Sequence, residues 1–200
     1  MKDINTIVKQ IIKILNLNML SSIILDQTKE SYHNGIEEIE KRFNSNFMPL
    51  NNNLNIFQEY TFDNIKGMNT EIAEKLRKSL MEGSIKNETL SQMTEKVKNI
   101  MKISRDRAIT ISRTEGNRAE NYGRLDGAIQ APVKLKKWLS ITNDNRTSPI
   151  SKAMGAKYGS EEKAIELNDN FKVTVKGKVI EGLSPPFHPN ERDVLMFAQQ

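Results

Sequence analysis

Two hundred residues suit one domain, or one domain with a helical extension, and are enough chain to bury a core. The absence of cysteine excludes a disulfide framework and a thiolate metal site, and an apolar share of 37% with only 6% aromatics predicts a thin, helix-rich core. The net charge of +5 is unevenly placed. Residues 1–100 carry 13 basic and 13 acidic side chains and residues 101–200 carry 17 and 12, so any attraction to phosphate has to come from the second half.

The first apolar run, from Ile11 to Leu25, is interrupted by Lys13, Asn16, Asn18, Ser21 and Ser22. It is too broken for a membrane span or a secretory core, so it reads as an amphipathic helix that docks on the chain or on a partner. Residues 3–43 form one or two helices, broken near Tyr32–Gly35, and Asn44 to Asn55, rich in asparagine with one proline, reads as a loop. Asn69 or Thr70 then offers an N-cap for a helix with Ile72, Leu76 and Leu80 in one stripe and Gly83 as its stop. A further helix is expected over about Asn87–Met101. Ser104 is placed to cap the next one, which runs to about Ile129 and ends before Pro132.

Beyond Pro132 the texture changes. Lys134 to Ile141 reads as a strand, and Phe171–Val175 alternates at period two into Lys176-Gly177-Lys178 and Val179-Ile180, a small hairpin. Pro185, Pro186 and Pro189 predict an irregular tail. The fold class is α+β: a helical N-terminal two-thirds with a long helix, then a small antiparallel sheet and loops. The division expected is a helical segment with its asparagine-rich loop over 1–60 and a second domain over 61–200, with helices at 69–130 and sheet and loops at 132–195.

Within the last long helix, ISRTEGNRAENYGRLDGA (Ile111–Ala128) is the densest stretch of chemistry. Apolar positions recur at Ala108, Ile111, Tyr122, Leu125 and Ile129, and Glu115 and Arg118 fall in the same stripe. Charges removed from water have to be paired and hydrogen-bonded. Glu115 is therefore expected at least partly buried and bonded to Arg118 or Arg113. The alternative is a solvated face laced with ion pairs.

RTEGNRAENYG resembles the signature helix of the Mu-F-like phage head morphogenesis family, the minor head proteins of tailed viruses. The further match lies in Trp138, in DNRTSPISKAMG (Asp144–Gly155) and in PPFHPNERD (Pro185–Asp193), in the family's order and spacing. The resemblance spans roughly residues 30–195. It marks Arg113, Thr114, Glu115, Asn117, Arg118, Asn121 and Gly123 of the signature helix as structural or partner-contacting. It marks Trp138, Asp144, Arg146, Thr147, His188, Pro189, Asn190 and Arg192 as a C-terminal loop network. Relatives often carry cysteines and a histidine there that would make a zinc set; this chain has Ser148, Ser151 and Glu191 beside His188, so no metal and no other cofactor is expected. Asp144, Arg146 and Arg192 are then the natural bridging members.

Nothing in the spacing of Glu115, Asp144, His188 and Asp193 demands catalysis, so the expectation is binding and not enzymology. The resemblance implies a minor head protein in the virion or procapsid interior, in the host cytoplasm during assembly. Its partners would be the portal protein and capsid components, with weak, nonspecific contact with viral DNA and no membrane. The rival reading is a stand-alone, sequence-independent DNA-binding protein. It would use the stretch Lys102–Arg146, ten basic residues against five acidic, with Arg124, Lys134, Lys136 and Lys137 as the candidate phosphate contacts.

Overall fold

In the computed structural model the described residues include three long helices: α1 at Leu17–Phe43, α2 at Asn51–Ile85 and α3 at Leu90–Gln130. The structure describes residues 8–10, 17–48, 51–86, 88–140 and 145–198, and among these the side chains other than those of 17–21, 51–60, 62, 84 and 90. Most of the apolar run at 11–25 therefore lies outside the described side chains. None of the described helices is long and apolar enough to cross a membrane.

The helices are fewer and longer than expected. Asn69 and Thr70 lie inside α2 and Ser104 lies inside α3, so none of them starts a helix. The hydroxyls that could have capped a free end turn back along the helix: Thr70 Oγ1 donates to Lys66 O at 3.1 Å and Ser104 Oγ to Ile100 O at 2.7 Å. The cap of α3 is Thr89, whose Oγ1 accepts from Gln92 N at 3.3 Å while Gln92 Oε1 accepts from Thr89 N at 2.8 Å, a reciprocal capping box. The asparagine-rich loop is shorter than 44–55, because α2 already includes residues 51–55. Gly83 does not stop α2, which continues to Ile85; a Cβ there would sit 2.9 Å from Met93 Cγ, so the glycine leaves room for that side chain.

After α3 the chain forms β1 (Leu135–Leu139), α4 (Pro149–Tyr158), a 3-10 turn (Glu161–Lys163), β2 (Ile165–Glu166), β3 (Phe171–Val175), β4 (Lys178–Gly182) and β5 (Val194–Phe197). Two antiparallel sheets result, one in the order β2-β1-β5 and one the hairpin β3-β4. The expected hairpin forms, with Val175 opposite Lys178 across a two-residue turn in which Lys176 and Gly177 both have positive φ (50° and 75°). Helix α4 lies in a segment read as loop. Its N-cap is Ser148, whose side chain accepts from Ser151 N, with Pro149 following. Strand β5 replaces part of the irregular tail.

Packing divides the chain into two compact units, a different partition from 1–60 and 61–200. Unit 1 comprises Met1–Asp26 and Glu59–Ile111; unit 2 comprises Gln27–Gln58 and Ser112–Gln200. The core of unit 1 is Val8, Ile24, Ile65, Met68, Ile72, Leu76 and Ala108. On α2 these residues sit at helical spacing, in one apolar stripe that also buries Thr61. The core of unit 2 centres on Trp138, fully buried, stacked on Phe187 at 5.4 Å and met edge-on by Phe171 at 5.1 Å.

Candidate functional site

Two glycines set the first feature of the site, which lies wholly in unit 2. A Cβ on Gly123 of α3 would fall 2.0 Å from Tyr32 O, and one on Gly35 of α1 2.1 Å from Glu120 O. The break expected at Tyr32–Gly35 is absent because α1 runs straight through; the glycines let two helices touch at their backbones. Next to that contact the Tyr32 hydroxyl donates to the Asp126 carboxylate, both residues buried. Ile129 at the end of the stripe is half exposed.

One turn away, α3 turns a row of short polar side chains, Thr114, Asn117 and Asn121, toward the chain that leads into β5. Asn121 is fully buried. Its Nδ2 donates to Asp193 O at 3.1 Å and its Oδ1 accepts from Leu195 N at 2.7 Å. Asn117 Nδ2 donates to Glu191 O at 2.9 Å and Asp193 O at 3.3 Å, and Thr114 Oγ1 accepts from Asn190 N at 3.0 Å. Helix side chains thus supply hydrogen bonds that a neighbouring strand would otherwise give to residues 190–195. Asp193 completes the connection by accepting Trp138 Nε1 at 3.0 Å. The signature helix and the C-terminal loop are therefore one network.

The charged pair on the stripe sits beside it. Glu115 is 5% exposed and accepts Arg118 Nε at 3.1 Å, with Arg118 about a quarter exposed. Burial raises the Glu115 carboxyl above its ordinary range, and Arg118 only partly offsets that. Arg113, on the next face, is exposed.

The C-terminal segment makes a second cluster. Ser148, Ser151, His188 and Glu191 come together, with Ser148 Oγ to Ser151 Oγ at 3.1 Å, Ser151 Oγ to His188 Nε2 at 3.2 Å and His188 Nε2 to Glu191 Oε2 at 3.2 Å. His188 Nδ1 lies 3.0 Å from Pro189 O, an acceptor only, which assigns the proton to Nδ1. These donors do not fit a zinc ion. Serine hydroxyls are poor ligands and both are occupied in the hydrogen-bond chain, while Glu191 Oε2 already accepts the amides of Phe187 (2.8 Å) and His188 (3.2 Å). Glu191 Oε1 is buried without a partner. Burial pushes the Glu191 carboxyl up to about 8, with those two amides and Arg118 pulling the other way and Asp193 adding to the rise.

Arg146 and Arg192 are exposed, and the buried links to the C-terminal segment run through asparagine amides and Asp193. Asp144 lies outside the described residues. Thr147 is buried, while Pro189 and Asn190 are exposed, with Asn190 taking a positive φ of 58°.

The candidate phosphate contacts need correction. Lys136 is wholly buried: it shares the inner face of β1 with Trp138, its Nζ donates to Leu183 O at 2.7 Å and lies 5.1 Å from the Phe171 ring centroid. Burial lowers its pKa to about 8. Arg124 is buried too, tied to Glu38 at 2.7 Å and Glu120 at 2.6 Å. Lys137 is paired with Glu161, and only Lys134 of the four is exposed. Period-two alternation in LKKWL was the available signal for Lys136, since it puts that residue on the side of Trp138.

Among known proteins, no curated protein and no solved structure matches the chain. A family model does: the one described as phage Mu protein F like protein matches residues 70–196, from within α2 to the last residues of β5. That span holds the asparagine row, the Trp138–Asp193 bond and the 185–193 segment, and by it the chain belongs to the phage Mu protein F-like family.

Proposed function

We propose that the protein is a minor head component that works by binding, docking on the portal protein or the capsid interior during assembly or ejection, with a weaker contact to packaged DNA. Family membership over residues 70–196 carries the reading, since it points to phage head morphogenesis and to a virion or assembly setting. Support for binding over catalysis comes from how the polar groups of the site are used. Asn117, Asn121, Asp193 and Trp138 satisfy one another and the main chain, which makes a rigid scaffold of the signature residues.

The rival, a stand-alone DNA-binding protein working through residues 102–146, loses two of its candidate contacts to burial, Lys136 and Arg124. The two readings differ in their response to salt, because phosphate contacts release counterions and weaken steeply with salt, whereas an apolar protein interface persists. The test is co-expression with the portal protein of the same virus, followed by affinity purification at high salt. The expected result is co-purification that survives, with DNA bound at low salt only and without sequence preference. Tight, sequence-specific DNA binding at physiological salt, with no portal association, overturns the proposal.

A further inference from the structure

A cleft of about 910 Å³ opens on unit 2, lined by Arg113 and Asn117 of α3, Arg146 ahead of α4, and Asn190 and Arg192 ahead of β5. Three arginines from three separate stretches of chain thus face one concavity, and all three are exposed. Neither Arg113 nor Arg192 forms an ion pair with a described residue. The carboxylates on the wall are engaged elsewhere: Glu120 accepts Arg124, and Glu191 is buried and turned onto the amides of its own loop. Arg113 and Arg192 therefore present guanidinium charge to the cleft.

We infer that this cleft binds phosphoryl groups. A guanidinium fork matches two oxygens of an oxyanion at once. A planar carboxylate offers such an edge in one plane only, whereas a tetrahedral phosphate offers edges in several directions, which suits arginines that arrive from three segments. Two sources share this chemistry, the backbone of a nucleic acid and a free phosphorylated metabolite. The inference deepens the DNA contact proposed above and rests on that reading only for the choice between the two sources.

The test uses the purified full chain, with a labelled mixed-sequence DNA duplex and with pyrophosphate as separate probes. Binding is followed by anisotropy and calorimetry over a range of salt. The variants are Arg113→Ala/Arg192→Ala, the same pair changed to lysine, and Lys178→Ala on the exposed outer strand of the hairpin as a control. The alanine pair should lose about tenfold or more in affinity for the probe that binds and, for DNA, should lower the salt slope by about 2, as expected for two lost phosphate contacts. The lysine pair should fall between, since it keeps charge without the fork. DNA binding displaced by pyrophosphate identifies the backbone as the source; pyrophosphate binding without DNA binding identifies a free ligand. Unchanged affinity for both probes in the alanine pair, with thermal unfolding confirming the fold, overturns the inference, as does tighter binding of polyglutamate than of pyrophosphate. Portal co-purification is a separate measurement, so failure of the cleft leaves the docking proposal standing and failure of docking leaves the cleft.

Discussion

The two units are held together by different kinds of contact. In unit 1 the interior is a stripe of Ile65, Met68, Ile72 and Leu76 with Val8, Ile24 and Ala108, and charge is kept outside, as in the pairing of Arg107 and Lys75 with Glu71. In unit 2 the aromatic cluster shares the interior with Glu115, Asn121, Asp126, Lys136, Glu191 and Asp193, all buried. Apolar burial is non-directional and tolerates rearrangement at constant volume. Buried polar groups tolerate little, because each one left without its partner carries its full desolvation cost. Unit 1 is thus specified by composition along a stripe, and unit 2 by particular pairs.

The contrast is sharpest at glycine. Gly123→Ala should be the most damaging small substitution in the chain, costing at least about 3 kcal/mol, because the new methyl meets main chain that cannot move aside. Gly67 of α2 has nothing within 4 Å of its missing Cβ, so Gly67→Ala should instead stabilise by about 0.5–1 kcal/mol. Thermal unfolding of the two variants compares the units directly; equal shifts would erase the distinction. Next comes the asparagine row. Asn121→Leu keeps the branching of the side chain but strands Leu195 N, at about 1–3 kcal/mol, and leaves Asp193 O with only its longer bond from Asn117. Leu76→Met in unit 1 should cost less than about 1.5 kcal/mol. Urea titration reads both, and a Leu76→Met loss as large as that of Asn121→Leu would contradict the contrast.

A smaller effect is expected at Glu115→Ala. Arg118 is partly exposed and can turn to solvent, so the loss should fall below the roughly 3–5 kcal/mol of breaking a fully buried pair. It should still exceed the roughly 0–1 kcal/mol of an exposed pair such as Lys98–Glu95. The last test is a pH series. The Glu191 carboxyl is raised to about 8 in the folded chain from 4.5 unfolded, so folding favours its protonated form. The stability it confers is complete below about pH 4.5 and is lost as pH rises toward 8, at no more than about 1.4 kcal/mol per pH unit. Melting temperatures of Glu191→Gln across that window should be flatter than those of the parent chain; parallel curves would remove Glu191 from the account.

How far the sequence revealed this molecule also differs by region. The stripe of α2, the end of α3 before Pro132 and the hairpin around Lys176-Gly177 were all readable, because each is set by neighbours a few residues apart. Helix starts were not. Serine and threonine hydroxyls satisfy an open helix end or an internal carbonyl equally well, and at Thr70 and Ser104 tertiary packing selected the second. Gly35 looked like a break because its reason for being glycine is a helix 88 residues further along. The asparagine row was visible as residue types, yet its partners at 190–195 lie more than 70 positions away, and no periodicity links them. Lys136 was legible as part of a strand but was assigned to the wrong side, charge outweighing the alternation that pairs it with Trp138.

The asparagine row holds residues 190–195 by their main-chain groups. Such a grip is indifferent to the side chains it carries, apart from requiring a free N–H at Asn190 and at Leu195, which proline at either place would remove. The rim residue Arg192 rides on this segment without helping to hold it. Its charge and size can therefore change while the strand stays seated, so the surface shown to a partner can be retuned by single substitutions that leave the scaffold intact.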